Sequence, residues 1–256
     1  MSEATPKALY VYGVAAAAEL GSISISGVQK VAVRTIEHDG LVALTSELEG
    51  AALAVASEVR AHWRVLDAAS KRAAVLPARF GTVMESEEAV RTDLLEANAE
   101  RLHELLAGVA GRIQLNVRGE YDEDKLLAGV VEGSSDILRL RNEIRRLPEA
   151  AGYYQRIQLG EFVAREVERR RELDTQRALE TLGALAVEAR REAPPQPYTA
   201  YKLAFLVERD AQDEFTRAVA ALASEQDDDI EVRYVGPLPP YSFAEAELTT
   251  RSEAWA

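Results

Sequence analysis

A long run from Glu123 to about Arg191 consists almost entirely of helix-forming residues. Two segments interrupt it, "EGSS" (132–135) and "LPEAAG" (147–152), because both contain residues that break helices. The stretch "REVERRRELDTQR" is highly charged, which predicts a long helix that is solvated on most faces or forms one arm of a helical hairpin. The prolines of "APPQP" (193–197) are predicted to end this helical region, because proline removes backbone donors.

The residues before this run alternate between strand and helix patterns. The opening "KALYVYGV" (7–14) is rich in aromatic and β-branched residues and predicts a strand that is buried on both faces. Asp39 and Gly40 both tolerate positive φ, which predicts a hairpin between two strand-like runs. The helical period over 50–72 places five apolar residues close to one face: Leu53, Val59, Trp63, Leu66 and Ala69.

The segment "AAVLPARFGTV" (73–83) predicts a further strand that contains Pro77. Since proline has no backbone N–H to donate, this strand is expected at a sheet edge or at a bulge. Ser86 then predicts a helix N-cap, with two glutamates in the first turn of a helix that runs to about Ala107. The N-terminal part of the chain is therefore expected to be an α+β domain.

The C-terminal part follows a β-α-β pattern. "YTAYKLAFLVER" (198–209) and "DIEVRYV" (229–235) predict strands, and "QDEFTRAVAALASEQ" (212–226) predicts a helix between them, with Phe215, Val219 and Leu222 on one face. "RIQLNV" (112–117) can supply an earlier strand of a ferredoxin-like sheet. The predicted fold is α+β with two domains: an N-terminal α+β domain (1–111), a ferredoxin-like domain with a long helical insertion (112–243), and a C-terminal tail (244–256).

Composition limits the classes of partner that the chain can have. Its 256 residues are 47% hydrophobic, enough to bury a large core. The formal net charge of -13 opposes association with nucleic acid or anionic lipid. The longest uncharged stretch (8–18) is too short to cross a bilayer, and no basic region followed by an apolar one opens the sequence. We therefore expect a cytoplasmic protein without a nucleic-acid or membrane partner.

Sequence motifs of known catalytic chemistry are missing. The chain has no cysteine, which excludes disulfides and thiolate nucleophiles. His103 and Glu104 do not form a zinc-binding helix motif, because position 107 is alanine, and there is no phosphate-binding loop or nucleophile elbow. We expect no enzyme activity, no catalytic residue, no metal site and no cofactor. The arginines of "RLRNEIRR" (139–146) are interpreted as members of surface ion pairs.

Two short segments are candidate sites. Arg79, Phe80 and Gly81 follow a strand end and precede a capped helix, a position where a guanidinium can meet a carboxylate or a backbone carbonyl terminus. The alternative is a structural turn in which Arg79 bonds its own chain. Gly160, followed by Glu161, interrupts a helix interior at a cost of about 1 kcal/mol relative to alanine. Close packing against another element is expected at Gly160.

The segment "GPLPPYSF" (236–243) is stiff, apolar and non-helical in character. Its prolines limit the conformations that the chain can lose, so it can follow a fixed path across a surface at low entropic cost. Either the segment docks onto the protein's own sheet or domain junction, or it helps to form a groove for a partner. The residues concerned are Pro237, Pro239, Pro240, Tyr241 and Phe243.

Four blocks of the sequence resemble signature segments of the gas vesicle protein L/F family: "VLPARFGTV" (75–83), "RIQLGEFVA" (156–164), "LAFLVER" (203–209) and above all "VGPLPPYSF" (235–243). They occur in that family's order, and the resemblance covers nearly the whole chain from Tyr10 to Phe243. The combination is specific, although each block alone is weak. The resemblance implies a non-enzymatic accessory protein needed to form gas vesicles, the air-filled protein shells that make microbes buoyant.

The resemblance also implies a partner. Members of the family are similar in having an α+β domain followed by a ferredoxin-like domain, and in binding the small hydrophobic shell protein. The expected function is to keep that shell protein soluble or to nucleate its assembly, in the cytoplasm and in association with gas vesicles. Other gas vesicle accessory proteins are further candidate partners. Two alternatives stay open: a minor structural component of the shell, and a small-molecule-binding regulatory protein or enzyme with a ferredoxin-like cleft.

Overall fold

The computed structural model describes residues 8–50, 54–148, 152–226 and 229–244. Its mixture of helices and sheets confirms the predicted α+β class. The described chain divides into two compact units, one formed by 8–114 with 237–244 and the other by 115–236. No helix in these described ranges is long and apolar enough to span a membrane.

The first unit is built on an antiparallel sheet around strand β1 (Leu9–Ala16). The strand order is β2-β3-β1-β4, and β5 also pairs with β1. The remaining strands are β2 (Arg34–His38), β3 (Leu41–Glu47), β4 (Val75–Pro77) and β5 (Val83–Met84). Because β4 ends the order, Pro77 lies in an edge strand, as predicted.

Strand β1 is buried on both faces, which confirms the prediction for the opening residues. Tyr10 and Tyr12 point into one apolar cluster, whereas Val11 and Val14 point into the other. The pairing of β1 with β3 shifts register between Val11 and Gly13. A Cβ at Gly13 would lie only 2.5 Å from the backbone oxygen of Leu76, so the close approach of β4 requires glycine there.

The predicted hairpin at Asp39 and Gly40 is confirmed. These two residues have φ of 45° and 75° and join β2 to β3, with His38 opposite Leu41. Positive φ at both central positions gives the turn a twist that matches the flanking strands.

The helices of the first unit cover both faces of the sheet. They begin with α1 (Ala17–Leu20), a 3-10 turn at Val28–Lys30 and α2 (Ala56–Ser70). Ser86 caps α3 (Glu87–Ala89) as predicted, since its hydroxyl accepts the Ala89 N–H at 3.1 Å. The predicted single helix to about Ala107 is wrong, because a π-helical segment, Val90–Glu96, and a break at Asn98 separate α3 from α4 (Ala99–Val109).

The predicted buried face of α2 is also wrong in part. Leu66 and Ala69 are fully buried, but Val59 and Trp63 are 44% and 39% exposed, and Leu53 lies outside the described residues. The face that packs on β1 carries His62 and Val65 instead. Helix α2 therefore buries a different face from the predicted one, and its largest side chain, Trp63, lies on the outer side.

The second unit contains a sheet with the strand order β7-β8-β6-β9. These strands are β6 (Arg112–Tyr121), β7 (Glu188–Arg191), β8 (Thr199–Glu208) and β9 (Ile230–Leu238). The helices are α5 (Glu123–Gly133), α6 (Ser135–Ile144), α7 (Tyr153–Gly183), a 3-10 turn at Arg209–Ala211 and α8 (Gln212–Glu225). The succession of elements follows a β-α-β-β-α-β pattern in which α5, α6 and α7 fill the first crossover.

Two predictions for this region have different outcomes. Phe215, Val219 and Leu222 are buried on one face of α8, as predicted. The predicted helix to about Arg191 is wrong, because α7 ends at Gly183 and β7 pairs antiparallel with β8, with Arg191 opposite Leu203. Ladder hydrogen bonds to β8 there replace the helical hydrogen bonds that local propensity favoured.

The last described element, α9 (Tyr241–Ala244), belongs to the first unit. This grouping differs from the predicted range of 112–243 for the second domain, because Ala244 packs in the first unit's core and Tyr241 packs against it. The predicted tail starts at Ala244, which is only 2% exposed; the rest of that tail (245–256) lies outside the described residues.

Candidate functional site

The first unit brings two of the sequence-predicted segments onto one set of buried rings. We call this set the aromatic cluster: Tyr10, Tyr12, His62, Phe80 and Tyr241. Phe80 belongs to the loop with Arg79 and Gly81, and Tyr241 belongs to the proline-rich segment. Gly160 and Glu161 lie in α7 of the second unit and are not part of the cluster.

The alternation of side chains along β1 and the burial of the His62 face of α2 bring the aromatic cluster together. Tyr10 and Tyr12 are two residues apart in β1, so their rings share a face, with centroids 4.9 Å apart. The His62 ring from α2 stacks on Tyr12 at 5.6 Å and meets the edge of Tyr10 at 5.6 Å. Phe80 contacts His62 and Tyr10 in edge geometry at 5.7 and 6.0 Å. Such tilted contacts add about 0.5–1.5 kcal/mol each beyond area burial.

Hydrogen bonds tie the aromatic cluster to the loop that carries Arg79. The Tyr10 hydroxyl lies 2.8 Å from Nδ1 of His62 and accepts the Gly81 backbone N–H at 3.1 Å. The Tyr12 hydroxyl accepts the Val28 N–H at 2.7 Å and bonds the Ser46 hydroxyl at 2.8 Å. Because these buried hydroxyls have partners, the rings hold the loop in one position.

The aromatic cluster is electrically neutral near pH 7. Burial lowers the pKa of His62 from 6.5 to about 4, and a hydrogen bond to the Ala78 backbone opposes this only in part. Burial raises the pKa of Tyr10 to about 12, and it also raises the pKa of Tyr12 and of Tyr241. Neither His62 nor the tyrosines exchange a proton near neutrality, so the cluster has no group tuned for acid-base chemistry.

The loop after β4 presents Arg79 to solvent. Both the backbone N–H and the hydroxyl of Thr82 bond the Arg79 carbonyl, at 3.1 and 2.8 Å, which closes a tight turn. Gly81 has φ of 92°, a conformation that favours glycine. The Arg79 side chain is exposed, and in the described part of the chain its guanidinium has no hydrogen bond or ion pair. Within the described ranges, no bond of its side chain makes Arg79 an intramolecular strut.

Helix α2, which this loop contacts through Phe80 and His62, also has an exposed apolar face. Val55, which precedes α2, and Val59 and Trp63 within it are spaced four residues apart and are 47%, 44% and 39% exposed, so they form an apolar stripe. Phe80 joins the loop to α2 through His62, the sequence neighbour of Trp63. We call the stripe together with Arg79 the α2–Arg79 surface. Contiguous apolar exposure of this kind is typical of interaction sites.

The proline-rich segment docks internally, which is the first of the two alternatives. Pro239 and Pro240 are buried, and Phe243 is 6% exposed, whereas Pro237 is exposed. The Pro240 carbonyl accepts the Ala244 N–H at 2.8 Å and so starts α9. Gln114 fixes the segment by accepting the Ser242 N–H at 2.8 Å and donating to the Ser242 hydroxyl at 2.9 Å.

The packing prediction for Gly160 is wrong. The residue is exposed, and a Cβ built on it would meet nothing within 4 Å. It lies on the outward side of α7, and Glu161 beside it is exposed as well. The ion-pair interpretation of "RLRNEIRR" fails for most of its arginines too: Arg139 pairs with Asp136 at 3.1 Å, but Arg141, Arg145 and Arg146 form no side-chain pair within the described residues.

Sequence reasoning missed three members of the aromatic cluster. The sequence does contain a signal for Tyr10 and Tyr12, because residues two apart in a strand point to the same face. His62 has none, since a histidine next to Trp63 on an amphipathic helix is expected to point outward. Among the described residues, no group of three acidic, histidine or cysteine side chains could hold a metal ion.

Comparison with known proteins decides the family. A sequence model described as "Gas vesicle synthesis protein GvpL/GvpF" matches residues 8–245. The chain belongs to the GvpL/GvpF family. This is a gas vesicle family and is not known as an enzyme family.

Relatives of the GvpL/GvpF family match the chain over nearly its full length. Gas vesicle protein F of Streptomyces sp. (strain CB03234) is 32% identical over 242 residues, covering 92% of this chain and 99% of that protein. Gas vesicle protein F of Nostoc sp. (strain PCC 7120 / SAG 25.82 / UTEX 2576) is 26% identical over 240 residues, covering 93% and 98%.

Solved GvpF structures share the fold. The crystal structure of GvpF from Anabaena sp. PCC7120 superposes with a TM-score of 0.84 at 25% identity, covering 94% of this chain and 99% of that one. The structure of GvpF from Microcystis aeruginosa gives a TM-score of 0.80 at 24% identity, covering 93% and 99%. Membership of this family connects the chain with gas vesicle formation.

Proposed function

We propose that this chain is a non-enzymatic accessory factor of gas vesicle formation that binds the small hydrophobic shell protein through the α2–Arg79 surface. Binding keeps the shell protein soluble or nucleates its assembly, in the cytoplasm and at growing gas vesicles. The observation that carries the proposal is the Arg79 guanidinium, which is exposed and without a partner among the described residues, on a loop whose Phe80 contacts α2, the helix that carries the apolar stripe.

The chemistry of the surface suits such a partner. The stripe of Val55, Val59 and Trp63 can cover an apolar helix face that would otherwise aggregate. Arg79 can make a bidentate bond to a carboxylate at the margin of that face, a geometry that lysine cannot reproduce. The chain's charge of -13 keeps the complex dispersed.

The neutral aromatic cluster supports a positioning role and no catalytic one. The hydroxyls of Tyr10 and Tyr12 are engaged with Gly81, Val28 and Ser46, and the histidine stays uncharged at neutral pH. The enzyme alternative therefore has no observation in its favour. The shell-component alternative predicts that the protein stays with washed vesicles, which the experiment below distinguishes.

Co-purification with the shell protein tests the proposal. Wild type, Arg79→Lys and Trp63→Ser are co-expressed with the shell protein, and the captured shell protein is quantified. Arg101→Lys is the matched control, because Arg101 is an exposed arginine of α4 whose side chain has no bond within the described residues. We expect both surface variants to capture less shell protein, Arg79→Lys at unchanged melting temperature, and the control to behave as wild type.

Equal capture by all variants would remove this surface from the interaction. Recovery of the protein in stoichiometric amounts with washed, intact vesicles would favour a structural component of the shell instead.

A further inference from the structure

A second apolar surface lies in the helical part of the second unit. Helices α5, α6 and α7 enclose an open pocket of about 560 Å³. Its walls are Leu127 and Val131 of α5, four residues apart, and Leu159 and Val163 of α7, also four residues apart. We call it the α5–α7 groove. Its remaining lining residues are Ala128, Glu132 and Arg141.

The half of α7 that forms this groove buries none of its own side chains fully. The fully buried residues of α7 are Thr175, Ala178 and Leu182, all in its C-terminal part. In the N-terminal part, Leu159 and Val163 are half-buried, and Tyr154 and Ile157 are 81% and 46% exposed. An apolar helix face is normally buried against another surface, and this face is buried only in part.

Unpaired arginines border the same groove. Arg141 lines it, and Arg145, the residue that follows α6, lies about one turn further on. Neither guanidinium has a hydrogen bond or ion pair within the described ranges. The C-terminal part of α7 is different: Arg170 pairs with Asp229 at 2.9 Å, and Arg177 pairs with Glu225 at 3.2 Å.

The α6 segment differs in charge from the whole chain. Residues 135–148 contain four arginines against two acidic residues, in a chain whose net charge is -13. Arg141 and Arg145 make the α6 side of the groove basic, whereas Glu132 lines its α5 side. The α6 side therefore selects an occupant that brings apolar side chains and carboxylates together.

We propose that the α5–α7 groove binds an amphipathic helix of a partner protein, with apolar anchors spaced three or four residues apart and carboxylates along its margin. Two anchors, one turn apart, fill the space between Leu127, Val131, Leu159 and Val163, as in other helix-in-groove complexes. The carboxylates meet Arg141 and Arg145. This site is separate in sequence from the α2–Arg79 surface and belongs to the other unit.

Concavity favours a helix over a lipid surface. A helix of about 10 Å diameter enters a groove between helices, whereas a bilayer needs a flat or convex apolar face. The groove between α5 and α7 therefore fits a single helix better than it fits a layer of lipid headgroups.

The test uses the full-length purified protein and three fluorescent helical peptides. The first carries leucines on one face and glutamates on both margins. The second has lysines in place of the glutamates, and the third has the composition of the first in scrambled order. Binding is followed by fluorescence anisotropy at low salt and then at rising salt. We expect the acidic amphipathic peptide to bind at least about tenfold more tightly than either other peptide, with affinity falling as salt rises.

Variants locate the binding in the groove. Val163→Asp should weaken binding of the acidic peptide by about tenfold, and Arg141→Glu should do the same while sparing fold and melting temperature, since Arg141 is exposed. Arg217→Glu is the charge-matched control: Arg217 is exposed on α8, away from the residues that line the groove. It should bind as wild type does.

Three outcomes would overturn the proposal. One is equal binding of the acidic and scrambled peptides. A second is binding of wild type to vesicles that contain anionic phosphatidylglycerol, lost in Val163→Asp, without binding of the peptide, which would assign the groove to a membrane. A third is a wild-type dimer by light scattering that Val163→Asp converts to a monomer, which would assign it to a second copy of this chain. Because no shell protein is present, failure here leaves the α2–Arg79 proposal untouched.

Discussion

The aromatic cluster packs strand β1 against helix α2, and the α5–α7 groove lies between helices, but only the cluster is closed. In the cluster, Tyr10 is fully buried and its hydroxyl bonds both His62 and Gly81. In the groove, Leu159 and Val163 are half-buried and the bordering Arg141 has no partner within the described residues. Buried side chains whose polar atoms are hydrogen-bonded stabilise a fold, whereas exposed apolar side chains and unpaired charges leave room for a partner. Substitutions in the closed region should therefore change stability, and substitutions at open positions should change binding or little at all.

The largest effect is expected for Phe243→Ala. Phe243 is 6% exposed, and removing a buried aromatic ring costs about 3–5 kcal/mol of unfolding free energy. Chemical denaturation measures this loss. Pro237→Ala, at an exposed position of the same segment, should lower stability far less. Equal stabilities for both variants would show that the segment does not belong to the closed core.

Acid should destabilise the protein through His62. The ring's pKa is about 4 in the folded state and 6.5 ordinarily, so the unfolded chain takes up a proton more readily as the pH falls below 6.5. His62 alone should then remove about 2 kcal/mol of stability between pH 7 and pH 5. His62→Gln is expected to be less stable at pH 7 but to lose less on acidification. Parallel pH profiles of wild type and variant would contradict the assignment.

Gly160→Ala should raise stability by up to about 1 kcal/mol. The position is exposed within α7 and an added methyl meets nothing, so only the helix propensity changes. Gly129→Ala in α5 is the comparison, because its methyl would lie 2.9 Å from a guanidinium nitrogen of Arg170. Thermal melts should show the larger gain for Gly160→Ala. A loss of stability there would restore the close-packing interpretation.

Arg79→Ala should change the stability least, by less than about 0.5 kcal/mol, because no bond of its side chain exists to be lost in the described residues. A melting temperature that falls in proportion to shell-protein capture would make Arg79 a structural residue. An unchanged melt with reduced capture would place it at the partner interface.

Short-range chemistry made several elements predictable. The Asp39-Gly40 hairpin, the Ser86 cap and the buried face of α8 each depend on residues within a few positions of one another. The family blocks located Arg79 and the proline-rich segment, and the stiffness of three prolines indicated a docked path. These features needed no knowledge of which elements meet.

The missed features depend on long-range contacts. Helix α2 carries apolar residues on two faces, so only its contact with Tyr10 and Tyr12 selects His62 and Val65 for burial and leaves Val59 and Trp63 outside. The end of α7 depends on β8, which offers Glu188–Arg191 a strand partner. The exposure of Gly160 depends on which side of α7 meets α5 and α6, and the helical period of the sequence does not record that choice.

The sequence by itself determined the fold class, the principal turns and caps, and the family, because each is written in local residue patterns or in blocks that stay contiguous along the chain. The tertiary structure decided which apolar faces are closed and which stay open, because burial is a property of two surfaces that meet and a single segment holds only one of them. That decision is what separates the aromatic cluster, a positioning core, from the α2–Arg79 surface and the α5–α7 groove, where partners are proposed to bind.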